Sequence, residues 1–176
     1  MNAQRLVGYV MASEWEMDLA GYGLVRVSGE LISELISYCQ VTSDMPESGG
    51  VLIGKHLNSG GKILIDNFTP PQKKDKQGRC LYHRSIQHNN LVKNIWKNSK
   101  GHSTYIGLWH THPEPVPNYS ATDKKDWLNA LRKSKYEGDI LYFFIIGQTH
   151  IRCWLGKKGV YKSKIELIGE YKIESQ

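Results

Sequence analysis

Residues 140–147, ILYFFIIG, form the longest near-apolar stretch in the chain. A run this short falls well below the ~20 apolar residues of a membrane span. It suits a buried strand near the centre of a sheet, and the segments around it must supply the cover. Residues 24–28, LVRVS, read as a short strand. Ser28 is placed to cap a helix over 30–38, in which Leu31, Leu35 and Tyr38 share a face with Ile32 and Ile36 beside them. A polar loop over 44–50 leads to VLIG at 51–54, the start of a buried strand. LNSGG then turns the chain into KILIDNF at 62–68, so the two strands are expected to form a hairpin. Residues 69–82 read as a long polar loop and a candidate binding loop.

A helix is expected over 86–98, with Ile86, Leu91, Ile95 and Trp96 near one face and His83 and His88 toward solvent. TYIGLWH at 104–110 alternates as a strand. The next helix should begin at Thr122 or Asp123 and point Trp127, Leu128 and Leu131 inward. After the central strand, THIRCWLGKKG gives a further strand and turn, and residues 161–171 an outer strand. Helices fall between strands and after them, so the expected fold class is α/β (α+β), a mixed sheet flanked by helices. The 176 residues fit a single domain, 1–176, with 1–20 and 162–176 as peripheral extensions.

A formal charge of +6 invites a nucleic-acid partner. The positive runs, KKDKQGR at 73–79 and the group Lys157, Lys158, Lys162 and Lys164, lack the interleaved aromatics of a base-stacking surface. No helix-turn-helix or zinc-finger spacing occurs either, so these runs read as solvated surface and nucleic acid is not expected. The first residues lack the plan of a secretory signal, and no stretch is apolar enough for a membrane, so the expected location is the cytoplasm. Cys39, Cys80 and Cys153 form no C-x-x-C pair, which argues against a disulfide framework or a structural zinc knuckle. Cys39 and Cys153 sit among apolar neighbours as small buried hydrophobes, and Cys80 lies in a polar loop.

The chemistry concentrates in GLWHTHPEPVPNYSATD, residues 107–123. On an extended chain, residues i and i+2 point to the same side, so His110 and His112 can meet one ion. Pro113, Pro115 and Pro117 then deny the loop a helix. Asp123, at the start of the next helix, can swing a carboxylate back toward the imidazoles. Two nitrogens, one oxygen and an open fourth position make up a catalytic Zn2+ site. Such chemistry also needs a base that is not a ligand, to take a proton from the attacking water and pass it to the leaving nitrogen. Glu47, in ESGGVLIG, is one choice, and Glu114 and Asp126 are others. Ser120 can donate a hydrogen bond to an oxyanion. A serine nucleophile is disfavoured because no G-x-S-x-G elbow surrounds Ser120, and no cysteine lies near the histidines in sequence.

H-T-H-P, seven residues further, then S-A-T-D resembles the H-x-H-x(7)-S-x-x-D pattern of the JAMM (MPN+/JAB) zinc metalloproteases. P-E-S-G-G-V-L-I-G at 46–54 resembles that family's glutamate-bearing segment, and Y-I-G-L-W-H-T-H-P at 105–113 is especially like its bacterial JAB branch. The likeness runs from about residue 24 to 154. It implies a curved mixed β-sheet core flanked by helices, with zinc held by His110, His112 and Asp123. It assigns the acid–base role to Glu47 and polarisation of the scissile carbonyl to Ser120. Enzymes of the family cleave peptide or isopeptide bonds after the C-terminal residue of ubiquitin or ubiquitin-like proteins.

Within the bacterial branch the chain is similar to the deconjugating peptidases of antiphage CBASS operons, which resemble deubiquitinases and remove a cyclase from the targets joined to its C-terminus. The implied substrate is a protein with an extended C-terminal tail, either a ubiquitin-like protein or a conjugated cyclase. The implied partners are operon-encoded E1-like and E2-like proteins. Two alternatives stand beside this reading. One is a processing peptidase that exposes the C-terminal Gly-Gly of a sulfur-carrier or ubiquitin-like precursor. The other is a non-enzymatic DNA-associated or scaffold protein with the same fold.

Overall fold

The computed structural model describes residues 11–57 and 61–174. Strands β1 (Trp15–Leu19) and β2 (Gly23–Val27) form a hairpin that leads into helix α1 (Gly29–Ile36). Ser28 caps that helix, accepting a hydrogen bond from the Leu31 amide at 3.2 Å. Strands β3 (Gly49–Leu57) and β4 (Lys62–Phe68) pair antiparallel as expected; within the LNSGG turn between them, residues 58–60 lie outside the described residues. The short strands β5 (Lys76–Gly78) and β6 (Leu81–His83), helix α2 (Gln87–Asn98), β7 (Thr104–Thr111) and α3 (Ala121–Lys133) follow. Strands β8 (Ile140–Ile146), β9 (His150–Lys157) and β10 (Lys164–Lys172) complete the fold.

Eight strands make one curved, near-barrel sheet in the order β1-β2-β4-β3-β7-β8-β9-β10, parallel at β2–β4 and β7–β8 and antiparallel elsewhere. Its two outer strands approach one another, with the Ser13 and Tyr171 hydroxyls 3.1 Å apart and the Trp15 ring 5.7 Å from that of Tyr171. The apolar run at 140–147 contains β8, and its place explains its composition. Tyr142, Phe144 and Ile146 face a core closed by Leu31, Ile32 and Leu35 of α1. Leu141, Phe143 and Ile145 face a second core closed by Trp127 and Leu131 of α3 and by Val92 and Ile95 of α2. Alternate residues of a strand point to opposite faces, so a strand covered on both faces is apolar throughout. Each of these large side chains contributes roughly 1.5–3 kcal/mol by leaving water. Among the described residues, no helix is long and apolar enough to cross a membrane.

Several expectations need correction. The stretch 69–82 is not a plain loop: β5 and β6 pair across an Arg79–Cys80 turn. Strands of three residues with polar side chains leave no alternation to read. On α2, Ile86 and Trp96 are exposed, and the contact with the core is made by Val92 and Ile95. Helix α3 begins at Ala121, because Ser120 caps it. The outer strand starts at Lys164, since Val160 and Tyr161 stand in an exposed turn. Cys39 and Cys153 are buried, as their neighbours indicated, and Cys80 is exposed.

Candidate metal centre

Strand β7 lies inside the sheet, with His110 opposite Gly49 of β3 on one side and Ile145 of β8 on the other. This pairing fixes the strand's end, where His110 and His112 share one face and Thr111 takes the other. The proline-rich segment beyond cannot donate at its prolines, so its carbonyls are used instead. Gln148 and Thr149 donate their amides to Glu114 and Pro115 at 2.8 and 3.0 Å, laying the loop along the β8–β9 turn. The chain then enters α3, whose first turn carries Asp123.

The three side chains converge. His110 Nε2 lies 3.1 Å from His112 Nε2 and 3.2 Å from Asp123 Oδ1, and His112 Nε2 lies 3.4 Å from Asp123 Oδ2. Ligands about 2.0 Å from a tetrahedral ion sit roughly 3.3 Å from one another, and these contacts are of that length, with the Asp123 carboxylate turning one oxygen to each imidazole. His112 turns its other nitrogen, Nδ1, to Glu114 Oε1 at 3.0 Å, the carboxylate contact that orients a metal-binding imidazole. Burial lowers the pKa of His110, so it stays neutral, the form that binds a cation. Burial opposes ionisation of Asp123, but hydrogen bonds from His110 and His112 outweigh it and hold the carboxyl well below the usual carboxylate range. His110, His112 and Asp123 are therefore a cluster that can hold a divalent metal ion.

Glu47 precedes β3, with Oε1 3.8 Å from His112 Nε2: close to the cluster but not one of its converging donors. Burial pushes its carboxyl up to about 7; His112 opposes the shift and Asp123 adds to it. The two glycines that follow are required by close contacts. A Cβ at Gly49 would meet the Tyr82 ring, and one at Gly50 the Thr69 carbonyl. The two rival carboxylates are engaged elsewhere, Glu114 on the far nitrogen of His112 and Asp126 with Arg84 at 2.7 Å. Ser120 and Asp123 form a reciprocal cap. Ser120 Oγ accepts from the Asp123 amide at 3.1 Å, and Asp123 Oδ2 accepts from the Ser120 amide at 2.6 Å. The S-x-x-D spacing thus starts the helix as well as aiming the carboxylate.

Residues 31–156, most of the chain, match the family described as prokaryotic homologs of the JAB domain. The chain belongs to this family. The JAB chain is 35% identical over 136 residues to a CD-NTase/cGAS isopeptidase of Vibrio cholerae serotype O1, covering 77% of this chain and 82% of that one. A protein of the same name from Escherichia coli is 33% identical over 135 residues, or 76% and 81% of the two chains. Another, from Pseudomonas aeruginosa, is 32% identical over 126 residues, or 70% and 78%. Kinship with isopeptidases and the His–His–Asp cluster together support metal-dependent enzymatic activity.

Around the centre of this JAB chain, a cavity of about 330 Å³ is lined by Glu47, Tyr82, His110, Asp123 and Lys125, among others. One residue expected in solvent is instead buried beside it. His88 is 1% exposed, with Nε2 2.9 Å from Asp75 Oδ2 and Nδ1 2.6 Å from Thr69 Oγ1. The Tyr82 hydroxyl reaches Asp75 at 2.8 Å and the Gly49 carbonyl at 2.7 Å. Burial works against the Asp75 carboxylate, yet donors from Gln72, His88 and Ser85 hold its pKa well below the usual range. This network pins the stretch before α2 onto β3. Sequence alone could not place His88, because its partners come from a polar segment without periodicity. The orienting contact of Glu114 was equally out of reach, since it depends on how the chain leaves β7 through Pro113.

Proposed function

We propose that the chain is a zinc-dependent isopeptidase that releases a CD-NTase from proteins to which its C-terminus has been joined. The observation that carries this reading is the donor set itself: two imidazole nitrogens and a carboxylate that converge, with a separate buried carboxylate 3.8 Å from His112 Nε2. Three donors leave a fourth position for solvent or substrate, which distinguishes a catalytic site from a closed structural one. The names of the related isopeptidases supply the substrate class.

Zinc held by His110, His112 and Asp123 would supply Lewis acidity toward the scissile carbonyl and a water acidic enough to ionise near neutral pH. Glu47 takes the proton of the attacking water and returns it to the departing lysine amine, a role that a buried carboxyl beside the donor cluster can fill. Ser120 uses its oxygen lone pair in the helix cap, so its O–H remains to donate to the developing oxyanion. Glu114 keeps the His112 ring from turning.

The test joins the C-terminal tail of a CD-NTase to a lysine of a reporter protein and incubates it with the zinc-loaded enzyme. Mass spectrometry should find the cut at the isopeptide bond, after the last residue of the tail. E47Q should keep its zinc and lose about 10²–10⁴-fold in rate, whereas H112A should lose both. A parental rate in E47Q, or a cut elsewhere in the tail, would overturn the reading.

A further inference from the structure

Glu47 belongs to no regular element. It stands near the end of residues 37–48, between α1 and β3, where neither a helix nor a sheet ladder fixes the backbone. Its placement over the histidine-bearing strand comes from bonds to β7 and to the β5–β6 hairpin, and one buried side chain ties those two partners together. Gln40 is fully buried, at 0% exposed. Its Nε2 donates to the Met45 carbonyl at 3.0 Å and to the Arg79 carbonyl at 2.9 Å. Its Oε1 accepts from the Thr111 hydroxyl at 3.0 Å. A single amide therefore ties together the Glu47 segment, the tip of the β5–β6 hairpin and the residue between the two histidines.

Each tie continues to Glu47. Thr111 Oγ1 accepts from the Ser48 amide at 2.9 Å, while the Thr111 amide donates to the Ser48 carbonyl at 2.8 Å. From the hairpin, the Gly78 carbonyl accepts the Glu47 amide at 2.8 Å and Gln77 Nε2 donates to the Glu47 carbonyl at 2.9 Å. Thr111 points away from the imidazoles by strand alternation, so the whole arrangement acts from behind the donor cluster. Two donors and an acceptor are needed at one buried point. An amide offers both, whereas a carboxylate or an apolar side chain of the same length does not. Gln40 does not line the cavity, and its side-chain hydrogen bonds go to Met45, Arg79 and Thr111 rather than to the donor cluster.

We propose that Gln40 is a positioning residue, setting Glu47 against the His110–Thr111–His112 strand through Thr111 and the hairpin tip. This rests on Glu47 being the proton-transfer group. The test pairs hydrogen exchange with kinetics on the zinc-loaded enzyme. In Q40M, the Glu47 and Ser48 amides should exchange about tenfold faster or more, with β8 amides unchanged. Zinc content should stay the same and KM should hold within about twofold, while kcat falls about 10- to 100-fold. T111V removes the hydroxyl shared by Gln40 and Ser48 and should reproduce the effect, and it carries the test if Q40M folds poorly. T111S keeps the hydroxyl and should restore both protection and kcat.

Because the effect runs through Glu47, Q40M should lower kcat no further in an E47Q background. Unchanged exchange at Glu47 and Ser48 in both variants would overturn the proposal, as would faster exchange with parental kcat. Parental activity in E47Q alone would instead strike the base assignment, which exchange rates do not depend on.

Discussion

Glu47 is a stability liability in the chain alone, and the sign of that liability can be measured. Its carboxyl is raised from 4.5 to about 7, chiefly by burial. The fold therefore favours the protonated acid. Stability from this group is complete below about 4.5 and is lost as pH rises through 7. In metal-stripped protein, E47Q stays neutral at every pH and should gain on the parent between pH 4.5 and 8. The gain should be on the order of 2 kcal/mol, after allowing for solvent in the cavity. Urea unfolding at the two pH values measures it, and an identical E47Q advantage at both would mean that the carboxyl is solvated. The same substitution removes turnover under the proposed mechanism. Stability and activity should thus move in opposite directions at a single atom, as expected where a site is held in an unfavourable state for use.

Helix α3 links packing to the metal centre. Trp127 stacks on Phe143 of β8, with ring centroids 4.6 Å apart and planes within 5°, and it also touches Tyr119 and Trp154. One turn earlier, the same helix presents Asp123. Trp127→Ala should destabilise the fold by about 3–5 kcal/mol. It should also weaken zinc binding although it removes no ligand, because the helix that aims Asp123 loses its anchor. Denaturant unfolding and zinc titration by calorimetry read the two effects. Destabilisation without any change in affinity would show that the Ser120–Asp123 cap alone holds the carboxylate. At this scale the sequence was informative wherever burial imposes a period. The strand at 140–146, the inward Trp127 and Leu131, and the Ser28 cap could all be read from it. His110, His112 and Asp123 stood out through spacing, since a strand must aim His110 and His112 together. Glu47 was set apart from Glu114 and Asp126 only by the family resemblance. What stayed hidden was held by polar bonds in segments without an apolar pattern: the β5–β6 pairing, the inward turn of His88 onto Asp75, and the bonds of Gln40. Hydrogen bonds leave no periodic mark on a sequence, so only the folded chain reveals them.

Across the whole molecule, the donor cluster sits at one end of a sheet whose two apolar cores contain none of its ligands. A small zinc-folded domain lacks such cores and unfolds without its ion. Here the strands and helices have their own apolar burial, so the metal should add stability without being required for folding. Metal-stripped protein should keep its far-ultraviolet circular dichroism spectrum and melt cooperatively. Zinc at about 100 times its dissociation constant should add about 2.7 kcal/mol, which in a chain of this size raises Tm by roughly 5–10 °C. The shift should grow with the logarithm of free zinc, since only the folded chain brings β7 and the first turn of α3 together. H110A should melt near the stripped parent and show no such shift, because two remaining donors make a poor site. A stripped protein without a cooperative transition would mean that the ion organises the sheet. A shift that survived in H110A would mean that zinc stabilises the chain from another place.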